Sequence, residues 1–297
     1  MHYRQIIMIV FLSYLSLKVS AEVKKPTAGL QPQQSEWLSP DTSGYAPVNG
    51  LNLYYEIYGE GKPIVLIHGA YQTIQLCWGN MITELKKTRK VIAVELQGHG
   101  HTKDITRPFS YRGFANDIVA LLQYLGIDKT DIMGFSVGGT TAMQLAIQQP
   151  GVVDKLIVLS APYQYTGWLP VMRNMLKSLP PDFLDQTPYK TAHAGIYNDS
   201  SAFHRFTGKF IKFDTENFDL GDSNMKNIKA PVLFIMGDND GVDMMHKAKM
   251  YQLCGGNVFS DISGAPRSQL SILPNTGHMS LLMQTATIIG LLDHFLK

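Results

Sequence analysis

The sequence predicts an α/β fold built on a mostly parallel sheet with helices on both faces, and three observations carry that prediction. First, short apolar runs recur along the chain: Pro63-Ile-Val-Leu-Ile67, Lys90-Val-Ile-Ala-Val94, Lys155-Leu-Ile-Val-Leu-Ser160 and Ala230-Pro-Val-Leu-Phe-Ile-Met236. They are continuous rather than alternating, as expected of strands buried on both faces. Second, segments with helical spacing separate them, the order that produces parallel strands with crossover helices. Third, Asp131-Ile-Met-Gly-Phe-Ser136-Val-Gly-Gly-Thr140 passes from a strand into a helix through Gly134-x-Ser136-x-Gly138. That is the sequence form of a nucleophile elbow, a serine on a tight strand-to-helix turn.

From the N-terminus, Met1-His-Tyr-Arg4 is positively charged, Ile6 to Leu17 is almost wholly apolar, and Val19-Ser-Ala21 offers small residues. Residues 1–21 read as a secretory signal peptide cleaved near Ala21-Glu22, which implies a periplasmic or secreted protein with no stable membrane span after cleavage. The apolar run is short of the roughly 20 residues a spanning helix needs. Residues 22–44, rich in Pro, Ser, Gln and Thr, read as a flexible lead-in. An ordered domain is expected over 45–297. At 297 residues, 45% apolar and 17% charged, the chain can bury a large core. A net charge of +2 without a basic run gives no footprint for a nucleic-acid partner. Cys77 and Cys254, the two cysteines, are expected to be buried thiols.

Leu51 to Tyr58 has a strand composition between Asn49-Gly50 and Gly59-Glu-Gly61, both suited to turns. The strand Pro63 to Ile67 ends in His68-Gly69-Ala70. A helix is expected over Trp78 to Lys87, followed by the strand Lys90 to Val94 and the glycine-marked loop Glu95-Leu-Gln-Gly98-His-Gly100. In Tyr111 to Leu125, Ile118, Leu121, Leu122 and Leu125 can share a helical face, with Gly126 suited to the C-cap. The elbow strand spans Thr130 to Phe135, its helix Thr140 to Gln149, and the next strand Lys155 to Ser160. The alternation then breaks between 161 and 229, a stretch with helical patches such as Val171 to Leu179 and many aromatic residues. It is too long for a structureless loop and reads as a helical lid inserted over the sheet edge. The pattern resumes with Ala230 to Met236, a helix near Asp243 to Leu253, a last strand Gln269 to Leu273 and a closing helix Ser280 to Leu296.

Working residues in such a sheet collect beyond the carboxyl ends of the strands, which places His68, His99, Ser136 and Ser160 at one edge. A serine hydroxyl needs a base, commonly a histidine oriented by a buried carboxylate. His278 follows the last strand and Asp240 the strand before it, with Asp238 and Asp243 as alternative acids. The chain order Ser136, Asp240, His278 matches a known order for such triads. Two backbone N–H groups must face the oxyanion. Val137 is one candidate; Ala70 is the other, with Tyr71 as its alternative. His68 is expected to hold its loop. His99-x-His101 with Asp104 does not complete a metal-ligand set. No metal and no cofactor is expected.

Leu66-Ile-His-Gly69, Glu95-Leu-Gln-Gly-His-Gly100, Met133-Gly-Phe-Ser-Val-Gly-Gly139, Pro231 to Asp240 and Ile272 to His278, taken in this order, resemble the α/β-hydrolase fold superfamily from about Tyr45 to the C-terminus. The closest likeness is to bacterial esterases and lactonases, including enol-lactone hydrolases. The resemblance implies an eight-stranded, mostly parallel sheet with an inserted lid over 161–229. It also implies a serine hydrolase acting on a small-molecule ester or lactone. Carbon–carbon bond hydrolysis or acyl transfer by the same triad, and a non-catalytic ligand-binding role, stay open. Epoxide hydrolase chemistry is disfavoured, because those relatives place an aspartate where this chain has Ser136. Glu95 departs from the aspartate of many members.

Overall fold

The computed structural model describes residues 38–297. The expected signal peptide at 1–21, and the lead-in as far as 37, lie outside the described residues.

Eight strands form one sheet: β1 (Thr42–Val48), β2 (Leu51–Tyr58), β3 (Pro63–Ile67), β4 (Lys90–Val94), β5 (Thr130–Phe135), β6 (Val153–Leu159), β7 (Val232–Asn239) and β8 (Gln269–Gly277). Their spatial order is β1-β2-β4-β3-β5-β6-β7-β8. The β1–β2 and β2–β4 pairs are antiparallel, and every pair from β4 to β8 is parallel. This is the α/β-hydrolase fold expected from the sequence.

The structure moves one boundary. Order was expected from Tyr45, but β1 already begins at Thr42, inside the stretch read as flexible. Thr-Ser-Gly-Tyr-Ala-Pro-Val has no continuous apolar run, because an edge strand buries little. Only Ala46 and Val48 of β1 are buried.

The helices follow the same logic. α1 (Ile74–Leu85) starts four residues ahead of the expected Trp78, where Thr73 caps it by accepting the Leu76 N–H. α2 (Tyr111–Tyr124) starts at a Ser110 cap that accepts the Gly113 N–H, and it buries Ile118, Leu121 and Leu122. α3 (Val137–Gln148) begins directly after Ser136, three residues earlier than the apolar spacing suggested. Between β6 and β7 lie α4 (Pro170–Lys177), α5 (Pro188–Ala192), α6 (Ser200–Thr215) and α7 (Asp222–Lys226). The inserted segment is thus helical. It is tied to the sheet edge by an antiparallel bridge between Trp168 and Val242. α8 (Met244–Leu253) follows β7, the connection to β8 contains the short α9 (Ser260–Ser263), and α10 (Thr285–Phe295) closes the chain.

One face of the sheet buries Ile64, Leu66, Met133, Phe135 and Ile157 against Trp78 and Ile82 of α1 and Ile288 and Leu292 of α10. Cys77 and Cys254 are both buried free thiols. Among the described residues, no helix is long and apolar enough to cross a membrane.

Candidate active site

The elbow forms because three glycines permit backbone approaches that a side chain would forbid. β3 and β5 pair in parallel with Ile67 opposite Gly134. A Cβ on Gly138 would lie 2.0 Å from the Ile67 carbonyl oxygen, and one on Gly134 would lie 2.1 Å from the Gly138 oxygen. Gly139 in turn faces Ala161. The turn forces Ser136 to φ 53° and ψ −119°, a left-handed conformation costly for a residue with a Cβ. The result is a serine side chain standing at the start of α3.

Three loops after three different strands meet at that serine. His278 follows β8, and its Nε2 accepts the Ser136 hydroxyl at 3.1 Å. Its Nδ1–H donates to Asp240 Oδ1 at 2.8 Å, from the loop after β7. Phe135 and Trp168 flank the imidazole, with ring centroids at 5.0 and 5.5 Å, and restrict its rotation. The Asp240 side chain is completely buried. Burial alone would push its carboxyl up. The charge and hydrogen bond of His278 outweigh that and hold it below the usual carboxylate range. The Ser160 hydroxyl, at the end of β6, lies beside the same carboxylate, short of hydrogen-bond geometry, and its dipole also favours the charged form. Lys247 of α8 is buried nearby, donates to the Gly237 carbonyl at 2.7 Å and adds positive charge.

The two alternative acids are committed elsewhere. Asp238 accepts the N–H groups of Asn275 and Thr276 and shapes the turn before His278. Asp243 caps α8 by accepting the His246 N–H. Only Asp240 reaches the histidine.

The loop after β3 is held by histidines. His68 Nδ1–H donates to the Gly69 carbonyl and its Nε2 accepts the Leu96 N–H, which is the holding role expected for it. His99 Nε2 accepts the Tyr71 N–H at 3.1 Å, a role not legible from its position in a glycine-rich loop. Burial keeps both rings below the usual imidazole range, so both stay neutral. The Tyr71 N–H is therefore occupied. Among the described residues the Ala70 and Val137 N–H groups donate to no protein acceptor, which favours Ala70 over Tyr71 at the candidate oxyanion site.

The histidine pair of the Glu95 loop serves structure. His101 Nδ1 contacts Glu95 Oε2 at 2.9 Å, and Glu95 Oε1 accepts the Ile74 N–H at the start of α1. Asp104 accepts two bonds from Lys209 of α6. Among the described residues no group of His, Cys, Asp and Glu is arranged to hold a metal. Ser136, His278 and Asp240 are thus brought together, whereas His99, His101 and Asp104 each turn to a separate partner.

A model of the α/β hydrolase fold family matches residues 62–214. An uncharacterized protein of Mycobacterium tuberculosis is 36% identical over 124 residues, which cover 42% of this chain. The chain spans only 36% of that relative's length. The 2-hydroxy-6-oxo-2,4-heptadienoate hydrolase of Pseudomonas putida is 24% identical over 266 residues, covering 80% of this chain and 90% of that protein. Among solved structures, the enol-lactonase of Burkholderia xenovorans LB400 has a TM-score of 0.64 at 21% identity, over 85% of this chain and 99% of that one. That last likeness is one of fold.

Proposed function

Since the chain belongs to the α/β hydrolase fold family, we propose that it is a serine hydrolase that cleaves a carboxylic ester or lactone through an acyl-enzyme on Ser136. The observation that carries this reading is the unbroken relay from the Ser136 hydroxyl to His278 Nε2 and from His278 Nδ1–H to the buried Asp240 carboxylate.

In the proposed reaction Ser136 Oγ attacks the substrate carbonyl carbon as its proton passes to His278 Nε2. The carbonyl oxygen becomes an oxyanion facing the Ala70 and Val137 N–H groups, and α3 presents its positive end to the same place. The tetrahedral species collapses, His278 returns the proton to the leaving oxygen, and the acyl group stays on Ser136. Water, deprotonated by His278, then attacks the acyl carbon and releases the acid. Asp240 fixes the tautomer of His278 throughout and stabilises the imidazolium.

The proposed substrate class can be tested with purified protein on a panel of short p-nitrophenyl esters, small lactones and a diketone, with products identified by mass spectrometry. Turnover of at least one ester or lactone to the free acid is expected. A panel in which only a diketone is cut, between two carbons, would overturn the ester reading. Tight binding with no turnover of any member would favour a ligand-binding role.

A further inference from the structure

Helix α6 lays an aromatic stripe, Phe203, Phe206, Phe210 and Phe213, against the rest of the protein. Asp214 interrupts it. This residue sits four positions after Phe210, on the buried face, and is only 8% exposed. A buried carboxylate is expected to find donors or a counter-charge. Among the described residues, no donor is hydrogen-bonded to the Asp214 carboxylate and no cation pairs with it.

Its electrostatic neighbours include a residue of the candidate active site, His278. The Asp214 charge acts on the phenols of Tyr71 and Tyr111, and His278 acts on Asp214. Tyr71 directly follows Ala70, and Tyr111 opens α2. The Tyr71 hydroxyl is buried and also lacks a hydrogen-bond partner. Its ring packs edge-on against Phe210, with centroids 5.0 Å apart. Phe213 packs on Tyr111, also at 5.0 Å. Asp214, whose carboxylate receives no protein hydrogen bond, and the buried, unpartnered Tyr71 hydroxyl therefore sit among aromatic rings, with Asp214 in electrostatic reach of Tyr71 and of His278.

We propose that Asp214 and the Tyr71 hydroxyl form a specificity subsite that selects esters or lactones whose otherwise apolar body carries one hydrogen-bond donor, a hydroxyl or a protonated amine. The subsite rests on the ester-hydrolase reading for its role, but not on turnover for its detection. A donor from the substrate gives the carboxylate the partner it lacks, and the Tyr71 hydroxyl can bond the same substrate group. A purely apolar acyl group leaves both unpaired, which is the condition under which a polar site discriminates most strongly. Burial pushes the Asp214 carboxyl up to about 7, against the opposing pull of His278. Its accepting strength is therefore set near neutral pH. The titratable groups that face it are Tyr71 from the loop after β3, Tyr111 from α2 and His278 from the loop after β8.

The test compares methyl butanoate with methyl 3-hydroxybutanoate, and methyl hexanoate with methyl 6-hydroxyhexanoate and methyl 6-aminohexanoate. Binding to the Ser136→Ala protein is read by calorimetry, and kcat/KM is read with the unmodified enzyme. At least one donor-bearing ester should be preferred over its parent by about tenfold or more, the range expected for a hydrogen bond to a charged group. For a hydroxyl donor the preference should grow as pH rises through about 7, where Asp214 ionises. Asp214→Leu should erase the preference, Asp214→Asn should remove its pH dependence, and Tyr71→Phe should weaken it while leaving the fold intact. Equal binding of every donor-bearing ester and its parent would overturn the subsite, as would an unchanged ratio in folded Asp214→Leu or Asp214→Asn protein. Failure of the serine mechanism looks different: ester turnover would survive Ser136→Ala, whatever the binding ratios.

Discussion

Replacing Ser136 with alanine is expected to lower kcat on short p-nitrophenyl esters by about 10⁶-fold, the scale seen when a triad loses its nucleophile. Alanine keeps the Cβ, so the strained elbow at φ 53° and its glycine contacts are unchanged. The substitution removes only the oxygen that meets His278 Nε2 at 3.1 Å. Unfolding midpoints in urea should accordingly move little. A folded variant that keeps the activity of the parent protein, from a preparation free of other esterases, would rule out Ser136 as the nucleophile.

Asp240→Asn is expected to lower kcat by about 10⁴-fold, through the tautomer of the histidine. An asparagine amide placed at Nδ1 can donate, which moves the imidazole proton to Nε2. That nitrogen then faces the serine hydroxyl with a proton of its own and cannot accept another. The nearby carboxylates cannot compensate, because Asp238 is bonded to Asn275 and Thr276 and Asp243 caps α8. pH enters with a definite sign. The Asp240 carboxyl is held below its ordinary range, so its contribution to stability is fully present above the unfolded carboxylate value of about 3.9 and is lost as pH falls through the folded value. The Asp240 carboxylate is therefore charged throughout the interval between about pH 6 and 9 in which the two proteins are compared. A gap of less than tenfold across that interval would assign the acid role to another residue.

The sheet and the meeting of Ser136, Asp240 and His278 were legible in the sequence from the order of the strands. Strands buried on both faces read as continuous apolar runs, and an open parallel sheet collects its working residues where those runs end. Asp240 follows such a run, Ser136 follows the fully buried elbow strand, and His278 follows the last strand, an edge strand in which only Leu273 and Thr276 are buried. β1 escaped because an edge strand with two buried residues shows no run, and α1 was started four residues late because Thr73 was not read as its cap. Asp214 was illegible for a different reason. It is one aspartate on a helix of the inserted segment, and its neighbours Tyr71, Tyr111 and His278 come from three remote parts of the chain. No periodicity encodes that meeting. His99 is intermediate: its position at the sheet edge was readable, but its bond to the Tyr71 N–H, which leaves Ala70 as the favoured oxyanion donor, depends on packing. The inserted segment thus contributes Asp214, on which the proposed selectivity rests.

The central claim is that Ser136 is activated by His278, and covalent labelling tests it most directly. The folded protein would be treated with a fluorophosphonate, digested and mapped by tandem mass spectrometry. The account predicts one stoichiometric adduct on Ser136, lost in the Ser136→Ala protein and slowed in proportion to kcat in Asp240→Asn. A folded protein that stays unlabelled, or carries its adduct on another residue, would contradict it.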